Sequence, residues 1–346
     1  MKLFRTLIPY EEALKTVLSY AKRTEVEEIA FDDALNRVLA EDIRSPIDSP
    51  AFDRAAMDGY ALRGEDSFGA APNNPVFLRR RKGKEEVGAG EYVPIQTGMP
   101  LPAGSNAVVM LEYAKESKET LEIFKPVTPG KNVSFKGEDV KQGEEVLKEG
   151  RLLRAHDIGM LASLFRTTVK VYKGAKVGII STGDELSDPK AYVEGETRIA
   201  DVNSYVLAAL AKKVAHPHRM GIRRDDDEEI KSAIRGSLDM DCLFLSGGSS
   251  VGKRDFIADA VEDVGDLLFH GVAIRPGEPT GFGIVHHKPL FVLPGYPVAA
   301  ISAFEMLVRP FLYAVHGVKE TRRKVPAIAS KGIPSAVGRT DFVRVK

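Results

Sequence analysis

CLFLSGGSSVGKRDFIADAVEDV, residues 242–264, decides the fold. A four-residue apolar run, CLFL, of β type opens it. A loop of glycines and serines follows, and then FIADAVEDV (256–264), whose apolar residues recur at helical spacing. The segment therefore predicts strand, bare loop, helix. Bare glycine backbone lets a ligand come close, and amide groups at a helix start bind phosphate or another oxyanion.

The same grammar recurs on either side. KVGII (176–180) runs into STGDEL (181–186), with a helix read over SYVLAALAKKV (204–214). HRMGI (218–222) runs into RRDDD (223–227) and the helix EEIKSAIRGSL (228–238). PLFVL (289–293) runs into PGYP (294–297) and a long helix over 298–315, while His286–His287 reads as a hairpin turn. Alternating strands and helices predict a parallel sheet with helices on both faces. Ligands of such sheets sit at the carboxyl ends of the strands. There the four loops gather Asp184 and Glu185, Asp225, Asp226 and Asp227, Asp255, and the free first-turn amides after PGYP. Carboxylates around an anion site repel it unless a cation intervenes, and Mg²⁺ is the usual one. Each loop alone also has a plain structural reading. TGDE can be an N-cap with favourable dipole charges, RRDDDEE a solvated face, SGGSS a turn and PGYP a rigid bend. Their convergence in one unit favours a site.

Upstream the text differs. Residues 9–22 have helical spacing, and a second apolar stretch, FDDALNRVLAED, covers 31–42. Pro46, Pro50 and the pair Asp58–Gly59 then break the chain. From 47 to 136, Gly and Pro recur between short β-type runs such as AVVML (107–111) and TLEIF (120–124), which predicts a small all-β unit. Helical spacing returns over 151–165, so the β unit reads as an insertion into a discontinuous domain. After a basic linker, KETRRK, a short β-like tail ends at DFVRVK in mid-strand and reads as an incomplete domain.

Composition narrows the function class. The 346 residues carry 49 basic and 49 acidic side chains, which disfavours a general nucleic-acid or membrane-surface binder. The one cysteine, Cys242, lies in an apolar run and excludes an internal disulfide. No signal-peptide h-region and no apolar stretch of membrane-span length is read, so a cytoplasmic protein is expected. The seven histidines show no metal-ligand spacing, and no Walker loop, GxGxxG or GxSxG occurs.

Seven motifs, in order, resemble one family: FDRAAMDGYAL (52–62), IQTGMPLPAGSNAVVM (95–110), GEDVKQGEEVL (137–147), VGIISTGDEL (177–186), FLSGGSSVGKRDF (244–256), VAIRPGEPTGFG (272–283) and LPGYPVAA (293–300). The chain is similar to the molybdopterin molybdenumtransferases, the MoeA and gephyrin E-domain family. The resemblance implies an elongated, multidomain α/β plus β protein. Its parts would be a discontinuous helical linker domain (1–46 and 137–172), an inserted β-rich domain (47–136), a three-layer α/β molybdopterin-binding domain (173–317) and a C-terminal β domain (318–346). It implies a homodimer whose site joins the α/β domain of one subunit to the β domain of the other. The implied reaction is Mg²⁺-dependent cleavage of adenylylated molybdopterin, with molybdate passed to the dithiolene and AMP released. The upstream pterin adenylyltransferase is the implied protein partner. The family's catalytic positions fall on Asp58, Thr97, Asp139, Glu185, Asp225 or Asp226, and Asp255, with Glu185 and Asp255 as Mg²⁺ ligands. The pterin-binding positions fall on Thr182, Gly183, Asp184, Ser246, Gly247, Gly248, Ser249, Ser250, Gly252, Arg275, Pro294, Gly295 and Pro297. A scaffold on the same fold and a tungstate-inserting enzyme are the competing readings. The retained acid set favours an enzyme.

Four positions depart from the usual family pattern. Tyr296 stands where Asn is frequent, Glu278 where Lys or Arg is common, Ala299 where Ser is common and Asn106 where Asp is usual. At about 6 Å and an effective dielectric near 20, one unit charge is worth roughly 3 kcal/mol, less after screening. Glu278→Lys is therefore expected to tighten molybdate or tungstate binding about tenfold or more while AMP release changes little. Unchanged oxyanion affinity in a titration would place Glu278 outside the site.

Overall fold

The computed structural model describes residues 7–83, 86–191, 193–195, 197–247, 256–319 and 325–345. Its contacts divide the chain into two compact units. One comprises residues 1–41, 149–158 and 167–346, the other residues 42–148 and 159–166.

The first unit is built on a six-stranded sheet. In chain order its strands are β1 (Lys176–Thr182), β2 (His216–Arg223), β3 (Cys242–Ser246), β4 (Asp266–His270), β5 (Gly281–Val285) and β6 (Lys288–Leu293). Its helices are α1 (Val202–Ala211), α2 (Asp227–Arg235), α3 (Phe256–Val264), α4 (Pro297–Ala303) and α5 (Arg309–Val315). The spatial order is β2-β1-β3-β6-β5-β4. The first four strands are parallel, as the alternating text predicts. The expectation of an all-parallel sheet needs one correction: β5 runs against both of its neighbours. The cause is local. His286 and His287, at φ of 46° and 65°, make a two-residue turn that returns β5 directly into β6.

Side-chain alternation makes the three layers. Val177, Ile179, Phe244, Phe291 and Leu293 face one side, where they meet Leu207, Phe304, Leu307, Phe311 and Leu312. Ile180, Leu243, Leu245, Leu290 and Val292 face the other, against Ile230, Ile234, Ile257 and Val261. Strands buried on both faces read as continuous apolar runs, which is why CLFL and PLFVL look as they do. Phe291 anchors the first face, with ring centroids 4.9 Å from Phe282, 5.3 Å from Phe311 and 5.8 Å from Phe244. On the second face Lys231 reaches Asp227 at 2.6 Å and also pairs with Asp263, tying α2 to α3.

The helical run Pro297–Val315 corrects another expectation. Its 19 residues, with mean hydropathy 1.5, are long and apolar enough to cross a membrane. Here Phe304, Leu307, Val308, Phe311 and Leu312 are buried in the core, which is the reason for that composition. A π-turn over Phe304–Val308 precedes Pro310, whose nitrogen has no hydrogen to donate.

The N-terminal text of this unit forms a helix over Tyr10–Ser19 and then strands. Val26–Ala30 and Val38–Leu39 flank Thr168–Tyr172 in a three-stranded antiparallel sheet. The apolar stretch 31–42 holds a 3₁₀ turn at Phe31–Asp33, and Asn36 at φ 62° stops a helix from running on.

The second unit is built on a six-stranded, mostly antiparallel sheet. Its spatial order is 107–110, 59–62, 91–95, 76–80, 120–123, 114–117. Tyr60, Leu62, Leu78, Tyr92, Leu121 and Ile123 form one buried face. Gly59 is not a turn residue, as its Asp-Gly context suggests; it opens a strand. A β-carbon there would sit 1.9 Å from the Val109 carbonyl oxygen, so only glycine fits.

His316 closes the end of α5, 1% exposed. Its Nε2 accepts from the Ala175 N–H at 2.9 Å, so Nδ1 carries the proton facing the Leu312 carbonyl oxygen at 2.6 Å. That ring must be neutral, and burial lowers its pKa below the ordinary histidine value. The unfolded chain then binds a proton that the folded chain refuses. Stability is expected to hold above pH 6.5 and to fall below it, by at most about 1.4 kcal/mol per pH unit from this group. Thermal melts between pH 7 and 5 should be less pH-dependent for His316→Gln than for the wild type.

Candidate active site

The four glycine- and acid-bearing loops lie at the carboxyl ends of β1, β2, β3 and β6, which are adjacent in the sheet. Strand order reverses at β1 and β3, the place where such sheets leave a crevice. Short contacts join the loops in series. The Gly183 N–H donates to the Arg223 carbonyl at 3.1 Å, joining the first to the second. A β-carbon on Gly247 would lie 2.2 Å from Thr182 Oγ1 and 2.4 Å from its carbonyl oxygen, so the first and third touch backbone to backbone. The Gly247 N–H meets the Leu293 carbonyl at the end of β6 at 3.3 Å, and the Ser246 hydroxyl donates to the Pro294 carbonyl of the fourth loop at 3.5 Å. Thr182 and Ser246 are buried, whereas Asp184 and Glu185 are exposed.

The second loop separates two acids that the sequence left equivalent. Asp226 is the N-cap of α2: its Oδ1 accepts from the Glu229 N–H at 3.0 Å, while Glu229 accepts from the Arg224 N–H at 3.2 Å. Asp225 is half-buried and faces the first loop. Burial raises its carboxyl pKa above the ordinary value, and the charges of Glu185 and Asp184 push the same way. Its buried Oδ1 accepts no hydrogen bond. The set is three hard oxygen donors whose mutual repulsion a cation would relieve, and the donor chemistry fits Mg²⁺. Among the described residues no group of three or more such side chains is close enough to enclose a metal by itself. Gly248, Ser249, Ser250, Gly252 and Asp255, with Lys253 and Arg254, lie outside the described residues.

Pro294 and Gly295 form the fourth loop, Tyr296 is the N-cap of α4, and Pro297 is its first residue. Tyr296 is 75% exposed. Arg275 lies to the side, exposed, on a short strand (Ile274–Arg275) paired with Thr340–Asp341 of the tail. It lines a cleft of about 360 Å³ with Val298, Ser302, Asp341 and Arg344. Glu278 is half-buried nearby, and among the described residues its carboxylate has no hydrogen bond or ion pair.

In the second unit, register explains a pair that lies 39 positions apart in sequence. Gly59 is the antiparallel partner of Ile95, so Asp58 and Thr97 emerge at the same edge. Asp58 Oδ1 accepts from the Thr97 N–H at 2.7 Å and from its hydroxyl at 2.8 Å. The N–H bond, then the hydroxyl bond, holds the Asp58 carboxyl below its ordinary pKa. Phe52, Met57 and Met99 are exposed in the same stretches. Asp139 is also exposed, its N–H bonded to the Ser49 carbonyl at 3.0 Å, and among the described residues no hydrogen bond joins it to Asp58 or Thr97. Asn106, the departure from Asp, has a structural reason: its Oδ1 accepts from the Gly64 N–H at 2.7 Å while its Nδ2 donates to Glu65 at 3.1 Å. An aspartate would face Glu65 with like charge.

Two residues escaped the sequence reading. Asp201 caps α1, accepting from the Ser204 N–H at 3.1 Å and from the Ser181 hydroxyl at 2.9 Å. Asn203 follows in the first turn. The Asp-x-x-Ser spacing of an N-cap was the available signal, and it starts the helix at 202 rather than 204.

Comparison with known proteins agrees with this architecture. A family model described as the MoeA N-terminal region (domain I and II) matches residues 8–165. One described as "probable molybdopterin binding domain" matches residues 178–314. A molybdopterin biosynthesis protein of Methanocaldococcus jannaschii is 42% identical over 100% of this chain and 88% of its own length. The chain belongs to the MoeA family of molybdopterin molybdenumtransferases. The molybdopterin molybdenumtransferase of Staphylococcus aureus is 33% identical, over 99% of this chain and 84% of its own. A crystal structure of the MoeA protein of Pyrococcus horikoshii superposes with a TM-score of 0.79 at 37% identity, covering 97% of this chain and 86% of that one. MoeA-family membership makes the chain a transferase of molybdenum cofactor biosynthesis.

The crowding of Asp225 has a measurable consequence. Because its pKa is raised, the ionised form costs stability above that pKa, and protonation relieves the cost as pH falls toward the ordinary aspartate range. Asp225→Asn should therefore melt above the wild type at pH 7, with the gap closing toward pH 4. A variant that melts lower at pH 7 would show that Asp225 is stabilised by its surroundings.

Proposed function

We propose that this MoeA-family chain performs the oxyanion-insertion step. It takes adenylylated molybdopterin, splits the pterin phosphate–AMP bond, passes molybdate to the dithiolene and releases AMP. The observation that supports the reading is the contact between neighbouring strand ends at the carboxyl edge of the sheet, beside Asp225 facing Glu185 and Asp184. Loop amides and the start of α4 suit the phosphate oxygens of the substrate. In this reading Glu185 and Asp255 hold Mg²⁺, which supplies charge neutralisation on a phosphoanhydride. Thr182, Gly183, Ser246 and Gly247 form the floor against which the pterin is oriented, and Arg275 attracts the oxyanion from the side. Tungstate, of nearly the same size, is an alternative cargo.

The proposal includes a homodimer in the cytoplasm. Asp58 and Thr97 form a preset acceptor and hydroxyl pair amid exposed Phe52, Met57 and Met99, and exposed apolar clusters commonly mark interfaces. Asp58, Thr97 and Asp139 of one copy then serve the loops of the other. A scaffold on this fold would have no need to hold a half-buried Asp225 beside Asp184 and Glu185.

Incubation of the chain with adenylylated molybdopterin, Mg²⁺ and either oxyanion should release AMP. Glu185→Gln and Asp255→Asn should each slow release roughly a hundredfold or more. Mixing Asp58→Asn with Asp255→Asn should restore part of the activity, because one hybrid site is intact. Full activity of Asp255→Asn in EDTA removes the Mg²⁺ role. No recovery after demonstrated subunit exchange removes the shared site.

A further inference from the structure

Resting on that reading of the pterin site, we infer that Asn203 is its positioning residue, setting the end of β3 and the loop after β6 against each other. The residue is 8% exposed, in the first turn of α1. Its Nδ2 lies 2.8 Å from Ser246 Oγ, 2.8 Å from the Gly295 carbonyl oxygen and 3.3 Å from the Pro294 carbonyl oxygen. Two of these three partners are carbonyls, which only accept. They fix the orientation of the amide: nitrogen toward the loops, Oδ1 away from them. Oδ1 is buried and accepts no hydrogen bond. An unpaired buried acceptor is a cost a space-filling side chain would avoid, so the amide is there for what its nitrogen does.

Geometry makes this bond consequential. Asn203 bonds the end of β3 and the loop after β6 at once, beside a longer 3.5 Å bond from the Ser246 hydroxyl to the Pro294 carbonyl, and Asp201, two residues earlier, fixes the same helix start to β1 through Ser181. Gly247 is pressed against Thr182, so a shift of the third loop is passed to the first. Asn203 does not touch the reacting phosphate in this reading. It sets the spacing of the backbone that does.

Asn203→Asp keeps the volume and turns an oxygen toward two carbonyl oxygens. Asn203→Ser removes the bridge with little change of fold and serves if the aspartate variant does not fold. Hydrogen exchange by mass spectrometry is expected to quicken at Gly247 and across 295–299, with β1, β3 and β6 unchanged. Molybdopterin affinity, measured by pterin fluorescence, should fall tenfold or more, with kcat for AMP release reduced less than the rise in KM. Unchanged exchange at those amides overturns the inference. So does quickened exchange with pterin affinity within twofold of the wild type. If the wild type itself fails to bind molybdopterin, the functional reading falls, and the positional role then stands or falls on the exchange result alone.

Discussion

The start of α1 is a clamp on three parallel strands. Asp201 accepts from Ser181 at the end of β1, and Asn203 bonds Ser246 at the end of β3 and the carbonyls that follow β6. A parallel sheet leaves its carboxyl-end loops free to diverge, because each loop leads to a helix on one face or the other. One polar turn inserted across three of those ends removes that freedom. The parts of the site lie next to that turn: Gly247 against Thr182, Asp225 facing Glu185, and Pro297 at the first position of α4.

Stability and chemistry are placed apart. The sheet carries its aromatic mass well inside, where Phe244, Phe282, Phe291, Phe304 and Phe311 interlock. Burial of side chains of this size stabilises by roughly 1.5–3 kcal/mol each. That surplus is what lets a crowded carboxylate cluster persist at the strand ends, where like charges and an unpaired Asp225 oxygen work against folding.

The parts of this architecture legible in the sequence are those with a short-range signature. Glycine-bearing loops between apolar runs marked four of the strand ends, and His286–His287 marked the tight turn. What that turn implied, a reversed β5, follows only when two neighbouring runs are read together. The 31–42 stretch was legible only as apolar; its turn comes from Asn36 in a left-handed conformation, which composition does not show. The 297–315 run was apolar because it is enclosed, which hydropathy alone does not distinguish from a membrane span. Asp58 and Thr97 were visible as separate motifs, but their hydrogen bond is a product of strand register. Asn203 had no signature: a single polar residue in a helix looks the same whether it faces solvent or three strand ends.

Gly59 carries a consequence for how this protein can vary. Its missing side chain leaves room for the Val109 carbonyl, and the residue before it is Asp58. Every missense change at this codon introduces a β-carbon into occupied space, so the strand must retreat and take Asp58 away from Thr97. In a map of tolerated substitutions, position 59 would look as intolerant as a catalytic residue, although it has no chemistry to perform. Natural variation in the β unit is therefore channelled around a point of backbone contact, and inheritance there guards a distance rather than a functional group.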